Sequence, residues 1–318
     1  MTSCIPTSNL KNNTVELETI SCPFCGGADN TLLVEAPDND APVPPPVFAV
    51  VRCLACELCF TNPRPTQKSI GSFYQQDYAP HQILADDSQE TKYSAGLRCF
   101  NPLRGSHFER GDFPLIGQRR LLDFGCGSGA FLLRMRQRGW NVAGLDTSGS
   151  IARRLQEEHE LRVLIGTLPH PALTPDSFDL ITLWHSLEHV HQPLQVLCEA
   201  NRLLTSGGKL LVAVPNIASV SFRWFGRNWF GLDVPRHLVH FSPQTLCKMI
   251  EKAGFVFESL RMMRQSYWLR QSAERAFCRG EASMMHTWLR KRFISSVISR
   301  GQQWVGAADI LLVVARKP

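Results

Sequence analysis

Several features are missing from this sequence, and each absence narrows what the chain can be. It has no run of about 18 apolar residues, which excludes a conventional membrane-spanning helix. Met1 to Leu10 lack a basic segment followed by an apolar one, so the start does not read as a secretory signal. There is no internal repeat, which argues against a solenoid or propeller. Neither sign of charge dominates: 34 Lys and Arg stand against 28 Asp and Glu, a net +6 over 318 residues. That excess is too small to identify a nucleic-acid binder by itself. The expected setting is cytoplasmic and reducing, where the 11 cysteines read as thiols or metal ligands rather than disulfides. What remains is a chain with 44% hydrophobic residues, enough for a substantial core.

The chain divides into three parts. Residues 1–65 are rich in Cys and Pro, and Ala41-Pro-Val-Pro-Pro-Pro46 reads as a stiff extended connector. Residues 66–114 read as a helical linker or lid. Residues 115–318 alternate short apolar runs with helical patterns, as a parallel sheet with crossover helices does. Strand-like runs are Leu121–Phe124, Val142–Leu145, Val163–Ile165, Phe178–Leu183 and Leu210–Val214, with two more at about 255–262 and at Ile310–Ala315. Helices are expected at roughly 129–138, 149–160, 193–205 and 243–253, with an insertion at about 264–306.

Two Cys-x-x-Cys pairs, Cys22/Cys25 and Cys53/Cys56, have the spacing of zinc knuckles and together supply the four thiolates of a tetrahedral zinc. Four protein ligands leave no open coordination position, so this zinc is expected to be structural. Cys59 is a spare, and Cys4, Cys99, Cys126, Cys198, Cys247 and Cys278 are scattered.

The segment Leu121-Leu-Asp-Phe-Gly-Cys-Gly-Ser-Gly-Ala130 follows a strand and opens a helix, the arrangement that lets backbone N–H groups approach a ligand. It lacks the Lys-Ser/Thr of a P-loop. Asp146 ends the next strand, about 20 residues on, where an acid can grip a ribose diol. Asp123 to Gly129, with Asp146 and Leu204-Thr-Ser-Gly-Gly-Lys-Leu-Leu-Val212, resembles a class I S-adenosylmethionine-dependent methyltransferase. The resemblance implies an α/β, Rossmann-like seven-stranded sheet of order 3-2-1-4-5-7-6 with the last strand antiparallel, here preceded by a small zinc ribbon. It implies that Asp123, Gly125, Cys126, Gly127 and Gly129 wrap the methionine part of the cofactor, that Asp146 binds its ribose with Thr147 beside it in the cofactor-binding set, and that Gly166-Thr167-Leu168 lies near the adenine. Trp184 completes the cofactor-binding set.

The fourth strand is followed by His185-Ser-Leu-Glu188-His189, a polar cluster at the carboxyl end of a strand, where open α/β sheets bind ligands. A His there can take a proton from a substrate hydroxyl, or His185, Glu188 and His189 can hold a divalent ion, or Glu188 can simply organise the loop. The stretch resembles the Glu-x-x-Glu-His segment of ubiquinone-pathway O-methyltransferases, with His185 in place of the first Glu. A third cluster, Gly226 to Pro243, contains Asp233, Arg236, His237 and His240. Arg236 and His237 either contact substrate, with His237 an alternative base, or pair with Asp233 or Glu188 to fix the loop. Zinc knuckles followed by a Pro-Arg-His-Leu-x-His-Phe-Ser core also resemble a bacterial small-molecule methyltransferase architecture. Tyr74 and Tyr78 either lie over the cofactor or pack on helices.

Between Phe257 and Arg300 nine Lys and Arg stand against three Glu, interleaved with Trp268, Phe277, Met284, Met285, Trp288 and Phe293. Such a segment can cap the core with its apolar side inward, contact an anionic membrane or lipid substrate, or bind RNA. The reading that unites these features is an S-adenosylmethionine-dependent O- or C-methyltransferase acting on a small molecule such as a sugar, a quinone, a lipid-linked compound or a secondary metabolite. It would be cytoplasmic, with peripheral membrane contact and no nucleic-acid partner. A zinc-ribbon RNA methyltransferase and a catalytically silent adaptor are the alternatives.

Overall fold

Apolar runs flanked by glycine and helix-forming stretches collapse into one twisted sheet. The computed structural model describes residues 15–41, 44–74 and 117–318. The strands are β1 (Leu17–Glu18), β2 (Asn30–Pro37), β3 (Val47–Cys53), β4 (Cys59–Thr61), β5 (Arg64–Pro65), β6 (Arg120–Phe124), β7 (Asn141–Asp146), β8 (Val163–Ile165), β9 (Phe178–Trp184), β10 (Leu204–Pro215), β11 (Val239–His240), β12 (Val256–Met263) and β13 (Ile310–Arg316). The main sheet runs β8-β7-β6-β9-β10-β13-β12. Numbered within the sheet, that is 3-2-1-4-5-7-6. β13 lies antiparallel to both neighbours, while β6 to β10 pair in parallel.

Adjacent residues of the central strands point to opposite faces, and both faces are dry. Leu121, Leu180, Leu211 and Leu312 face the helices α1 (Ala130–Gln137) and α2 (Gly149–His159). Their neighbours Leu122, Ile181, Val212 and Val313 face α3 (Pro193–Leu203) and α5 (Pro243–Lys252). A short helix, α4 (Val220–Phe225), follows the fifth strand of the sheet. The expected helix to residue 205 stops at Leu203, because Leu204 already pairs with Phe178 and the Gly207-Gly208 bulge is absorbed into a longer β10.

The N-terminal part forms its own sheet around the β2–β3 hairpin. Its order is β11-β4-β3-β2, so its edge strand is borrowed from the segment that follows β10 of the main sheet. Val239 pairs with Phe60 and His240 with Cys59. Leu58 and Phe60 are buried in the same cluster as α3 and α5, so this sheet packs on the main domain rather than hanging from it.

The insertion between β12 and β13 consists of three helices, α6 (Ser266–Cys278), α7 (Met284–Leu289) and α8 (Arg292–Trp304). In α6 the apolar residues Leu269, Ala273 and Ala276 face inward, as a capping helix should. In α8 the inward face is mixed, with Ile294 and Ile298 packed on the core beside buried Ser295, Ser299 and Gln302, while Phe293, Val297 and Trp304 are exposed.

Candidate active site

The turn after β6 is built for close approach. Gly125 has φ +70°, and a Cβ added there would lie 2.6 Å from the Cβ of Ser186. Gly129, the N-cap of α1, has φ +76°, and its Cβ would meet Leu155 at 2.5 Å. Any side chain at either place would strain the backbone and fill the space. The Ser186 hydroxyl beside Gly125 is buried and makes no hydrogen bond among the described residues. A glycine cradle with an unsatisfied polar atom at its edge suits a bound polar ligand.

Two acids flank the turn. Asp146 ends β7, where its Oδ2 accepts from Gly127 N at 3.0 Å and its Oδ1 from Ser148 N at 2.9 Å. Asp123 is 2% exposed and accepts the Thr182 hydroxyl at 2.6 Å. Burial pushes its carboxyl up to about 7; the charge of Asp146 adds to this and the Thr182 hydrogen bond opposes it. Thr147 is exposed beside Asp146, and Thr167 is half-buried just after β8. Cys126 is buried within the turn, and Leu168 is buried in the main core. Trp184, at the end of β9, packs edge-on against Phe131 of α1 with ring centroids 5.5 Å apart.

The histidines gather around Glu188. This side chain is 1% exposed and sits in a short 3-10 turn, Leu187–His189. Its Oε1 lies 3.2 Å from His185 Nδ1 and 4.0 Å from His237 Nε2, and its Oε2 makes no hydrogen bond among the described residues. Burial would raise the Glu188 carboxyl, but the His185 hydrogen bond and the neighbouring imidazoles outweigh it and hold it below the usual range. The His189 and His237 rings meet edge to face at 4.6 Å. His189 Nδ1 is 3.0 Å from the Arg236 carbonyl and 3.0 Å from the Tyr74 hydroxyl, so Tyr74 reaches the cluster; Tyr78 lies outside the described residues. Burial, then the charge of His237, lower His189 to about 4. His237 Nδ1 is 3.0 Å from the Gly231 carbonyl.

His185 differs from the other two. Its side chain is 32% exposed, and its backbone has φ +49°, an unusual conformation for a residue with a side chain. A carboxylate on Nδ1 orients the ring and leaves Nε2 pointing away from that contact. The Trp268 ring from α6 lies 5.8 Å from it, so the insertion forms one wall of this site.

The sequence places Glu188 and His237 49 residues apart, and backbone pairing brings them together. Leu238 N donates to the Glu188 carbonyl at 2.8 Å, Thr61 N to the Leu238 carbonyl at 3.0 Å, and Thr61 Oγ1 to the His237 carbonyl at 2.8 Å. Thr61 Oγ1 also lies 3.1 Å from Nε2 of His240, which burial and then His237 lower to about 3. Arg236 is 1% exposed and pairs with Asp233 at 2.8 Å, Asp38 at 2.9 Å and Asp40 at 3.0 Å. These pairs tie the loop to the β2–β3 turn. Asp38, the carboxylate supplied by the β2–β3 loop, carries no local motif that would single it out.

A family model for a methyltransferase domain matches residues 90–260, more than half of the chain. The chain is a class I S-adenosylmethionine-dependent methyltransferase. It is 30% identical over 176 residues to a ubiquinone biosynthesis O-methyltransferase of Aeromonas salmonicida, covering 52% of this chain and 74% of that one. A protein of the same description from Pseudomonas aeruginosa is 32% identical over 126 residues, 38% of this chain and 53% of the relative. A solved S-adenosylmethionine-dependent methyltransferase of Thermotoga maritima covers 71% of this chain and 95% of its own at 18% identity, with a TM-score of 0.49. In this methyltransferase the glycine turn and Asp146 are the residues that would hold the cofactor.

The methyltransferase also carries a thiol cluster. The Sγ atoms of Cys22 and Cys56 are 3.5 Å apart, as are those of Cys25 and Cys53, and all four lie within 4.8 Å of one another. Tetrahedral zinc with bonds of about 2.3 Å sets thiolates ~3.8 Å apart, so the four fit one zinc ion. The turns that shape the knuckles place Gly26 at φ +76° and Glu57 at φ +66°. Cys59 is buried elsewhere, its Sγ 3.8 Å from the Glu57 carbonyl.

Proposed function

We propose that this methyltransferase transfers a methyl group to a hydroxyl oxygen of a small molecule, with His185 as the general base. The observation that carries the reading is the His185–Glu188 pair: a partly exposed imidazole held through Nδ1 by a buried carboxylate, at the carboxyl end of the strand beside the cofactor cradle. The O-methyltransferase names of its relatives support oxygen as the acceptor. S-adenosylmethionine, when bound, supplies an electrophilic methyl group. The chain's residues do the rest. The glycine turn, with Asp123 and Asp146, holds the donor; Glu188 fixes the His185 tautomer; Nε2 of His185 accepts the hydroxyl proton; and Trp268 excludes water from one side. The test is transfer of labelled methyl groups to a panel of small hydroxylated acceptors, including quinols and sugars, by the wild-type chain and His185→Asn. Labelling of RNA, with no small-molecule product, would transfer the reading to the RNA-methyltransferase alternative.

A second reading concerns a divalent cation. Glu188, His189 and His237 bring one ligand atom each within 4.8 Å of one another, and Glu188 Oε2 makes no hydrogen bond among the described residues. The set differs from the sequence expectation: His237 stands in place of His185, whose Nδ1 instead lies 3.2 Å from Glu188 Oε1. Calorimetric titration with magnesium, manganese and zinc, before and after Glu188→Gln, tests it. Heat that is unchanged by the substitution would remove this reading.

A further inference from the structure

Helix α8 has more apolar surface than a helix that only caps a core would need: Ile294 and Ile298 pack on the core, and a second set of large apolar residues faces outward. At 100° per residue, Phe293, Val297, Arg300 and Trp304 fall within an arc of about 60°, and Ser295, Ser299 and Gln302 occupy the opposite side. That opposite side is the buried one, and Ile294 and Ile298 pack on the core beside it. Ser295 Oγ accepts from Arg270 Nη1 at 3.2 Å, and Gln302 Nε2 donates to Ser221 Oγ at 3.1 Å. The outward side exposes 80% of Phe293 and 89% of Trp304. The neighbouring α7, which packs on α8, exposes 79% of Met284 and over half of Trp288. A single exposed apolar residue is ordinary, whereas a row of large ones on adjoining helices marks a contact surface.

The charges around this row name the contact. Lys291 Nζ sits 5.0 Å from the Trp288 ring centroid, and Arg292 and Arg300 form no ion pair among the described residues. Other cations of the insertion are engaged inside the fold: Arg290 pairs with Glu274, Arg279 bonds to Asn39 and Asn228, and Arg275 reaches the Trp229 and Phe230 carbonyls. The outward residues are therefore aromatic and aliphatic side chains edged by a few free cations. A base-stacking groove would need more cations along its track. Large apolar tips with basic flanks match the interfacial region of a bilayer with anionic headgroups.

We infer that the α7–α8 face docks this methyltransferase on the surface of an anionic lipid bilayer, with Phe293 and Trp304 inserted at the headgroup boundary. None of the described helices is long and apolar enough to cross a membrane, so the contact is one of lying on the surface. The inference is independent of the acceptor chemistry proposed above. Trp268 on α6, packed against α8, joins the docking face to the wall of the active site.

The experiment is co-sedimentation of the purified full chain with phosphatidylcholine vesicles, with and without phosphatidylglycerol. The wild-type chain should partition onto the anionic vesicles, and added salt should weaken this. Phe293→Ser with Trp304→Ser should reduce partitioning at least about tenfold. Arg292→Gln and Arg300→Gln should each reduce it about fivefold. All four positions are exposed, so the variants should keep the wild-type melting temperature, and methyl transfer to a water-soluble acceptor should be unchanged. Absence of vesicle binding overturns the inference. So does equal binding to neutral vesicles that ignores the aromatic substitutions. Self-association abolished by Trp304→Ser, or RNA retention without vesicle binding, would assign the face to a second copy or to nucleic acid and overturn it as well.

Discussion

At the scale of single residues, His185 and Asp123 carry the clearest consequences. His185 combines a left-handed backbone with a catalytic assignment, and Asn tolerates that backbone better than most replacements. His185→Asn should therefore fold normally and lower kcat by roughly 10²- to 10⁴-fold, the range of a lost general base, with little change in KM for the methyl donor. Unchanged kcat would move the assignment to His237. Asp123 makes a prediction about pH. Its carboxyl titrates near 7 in the fold against 3.8 for an ordinary Asp. A raised pKa favours the protonated, folded form, so this contribution to stability is complete below about pH 4 and is lost as pH rises to about 7. Asp123→Asn keeps an acceptor for Thr182 and removes the titration. In the cofactor-free protein its melting temperature should gain on the wild type between about pH 4 and 7, by up to a few kcal/mol in stability. A difference that stays flat across that range would show that Asp123 is not the titrating group. Buried Asp309, pushed up to about 6 by burial against its serine and Trp229 hydrogen bonds, adds a similar slope that persists in the variant.

At the scale of elements, regular structure was legible in the sequence and long-range pairing was not. The seven strands of the main sheet and the flanking helices lie close to their expected positions, because apolar runs and caps are local signals. Ser242-Pro243, for example, opens α5 with a complete capping box. The glycine turn was legible for the same reason. The β4–β11 pairing was not, since two- and three-residue strands carry no periodicity. That pairing brings His237 to Glu188, a contact the sequence offered as one of two alternatives and could not choose from residues 185 to 189 alone. Arg236 is held by three carboxylates, one of which, Asp38, has no sequence signal. The outward face of α8 was hidden for another reason: periodicity reveals a stripe but not which way it turns. The Arg236 clamp is testable. Asp38→Asn leaves Asp233 and Asp40 in place, so the loss should be about 1–3 kcal/mol rather than the full penalty of an unpaired buried charge. Denaturant unfolding would measure it, and a change below a few tenths of a kcal/mol would show that Asp38 is dispensable to the clamp.

At the scale of the whole molecule, the thiol cluster and the histidine cluster belong to one mechanical unit. Cys53 ends β3, Cys59 begins β4, and β4 pairs with the strand that ends in His240. Stripping metal from the four-cysteine site should therefore do more than loosen a surface module. Chelation is expected to lower the melting temperature and to reduce methyl transfer in parallel, with both restored by zinc, since metal-coupled folding of a small site is worth several kcal/mol. Full activity in metal-free protein would separate the two clusters. Arg64 tightens the same joint, donating to the His191 carbonyl at 3.0 Å, while His191 Nε2 lies 3.0 Å from the Pro65 carbonyl.

The borrowed strand also sets an order of assembly during synthesis. Thr61 and its partner His240 are separated by 179 positions. The ribosome therefore delivers the knuckles, the β2–β3 hairpin and β4 long before the strand that completes their sheet. Until then β4 presents a bare edge, the feature through which nascent chains recruit wrong neighbours. The edge is three residues long and lies next to a prospective metal cluster, which limits its appeal as a template. The last event in building the N-terminal module is thus the arrival of the loop that carries His237, and a chain whose ribbon is complete is one in which Glu188 has already met that loop.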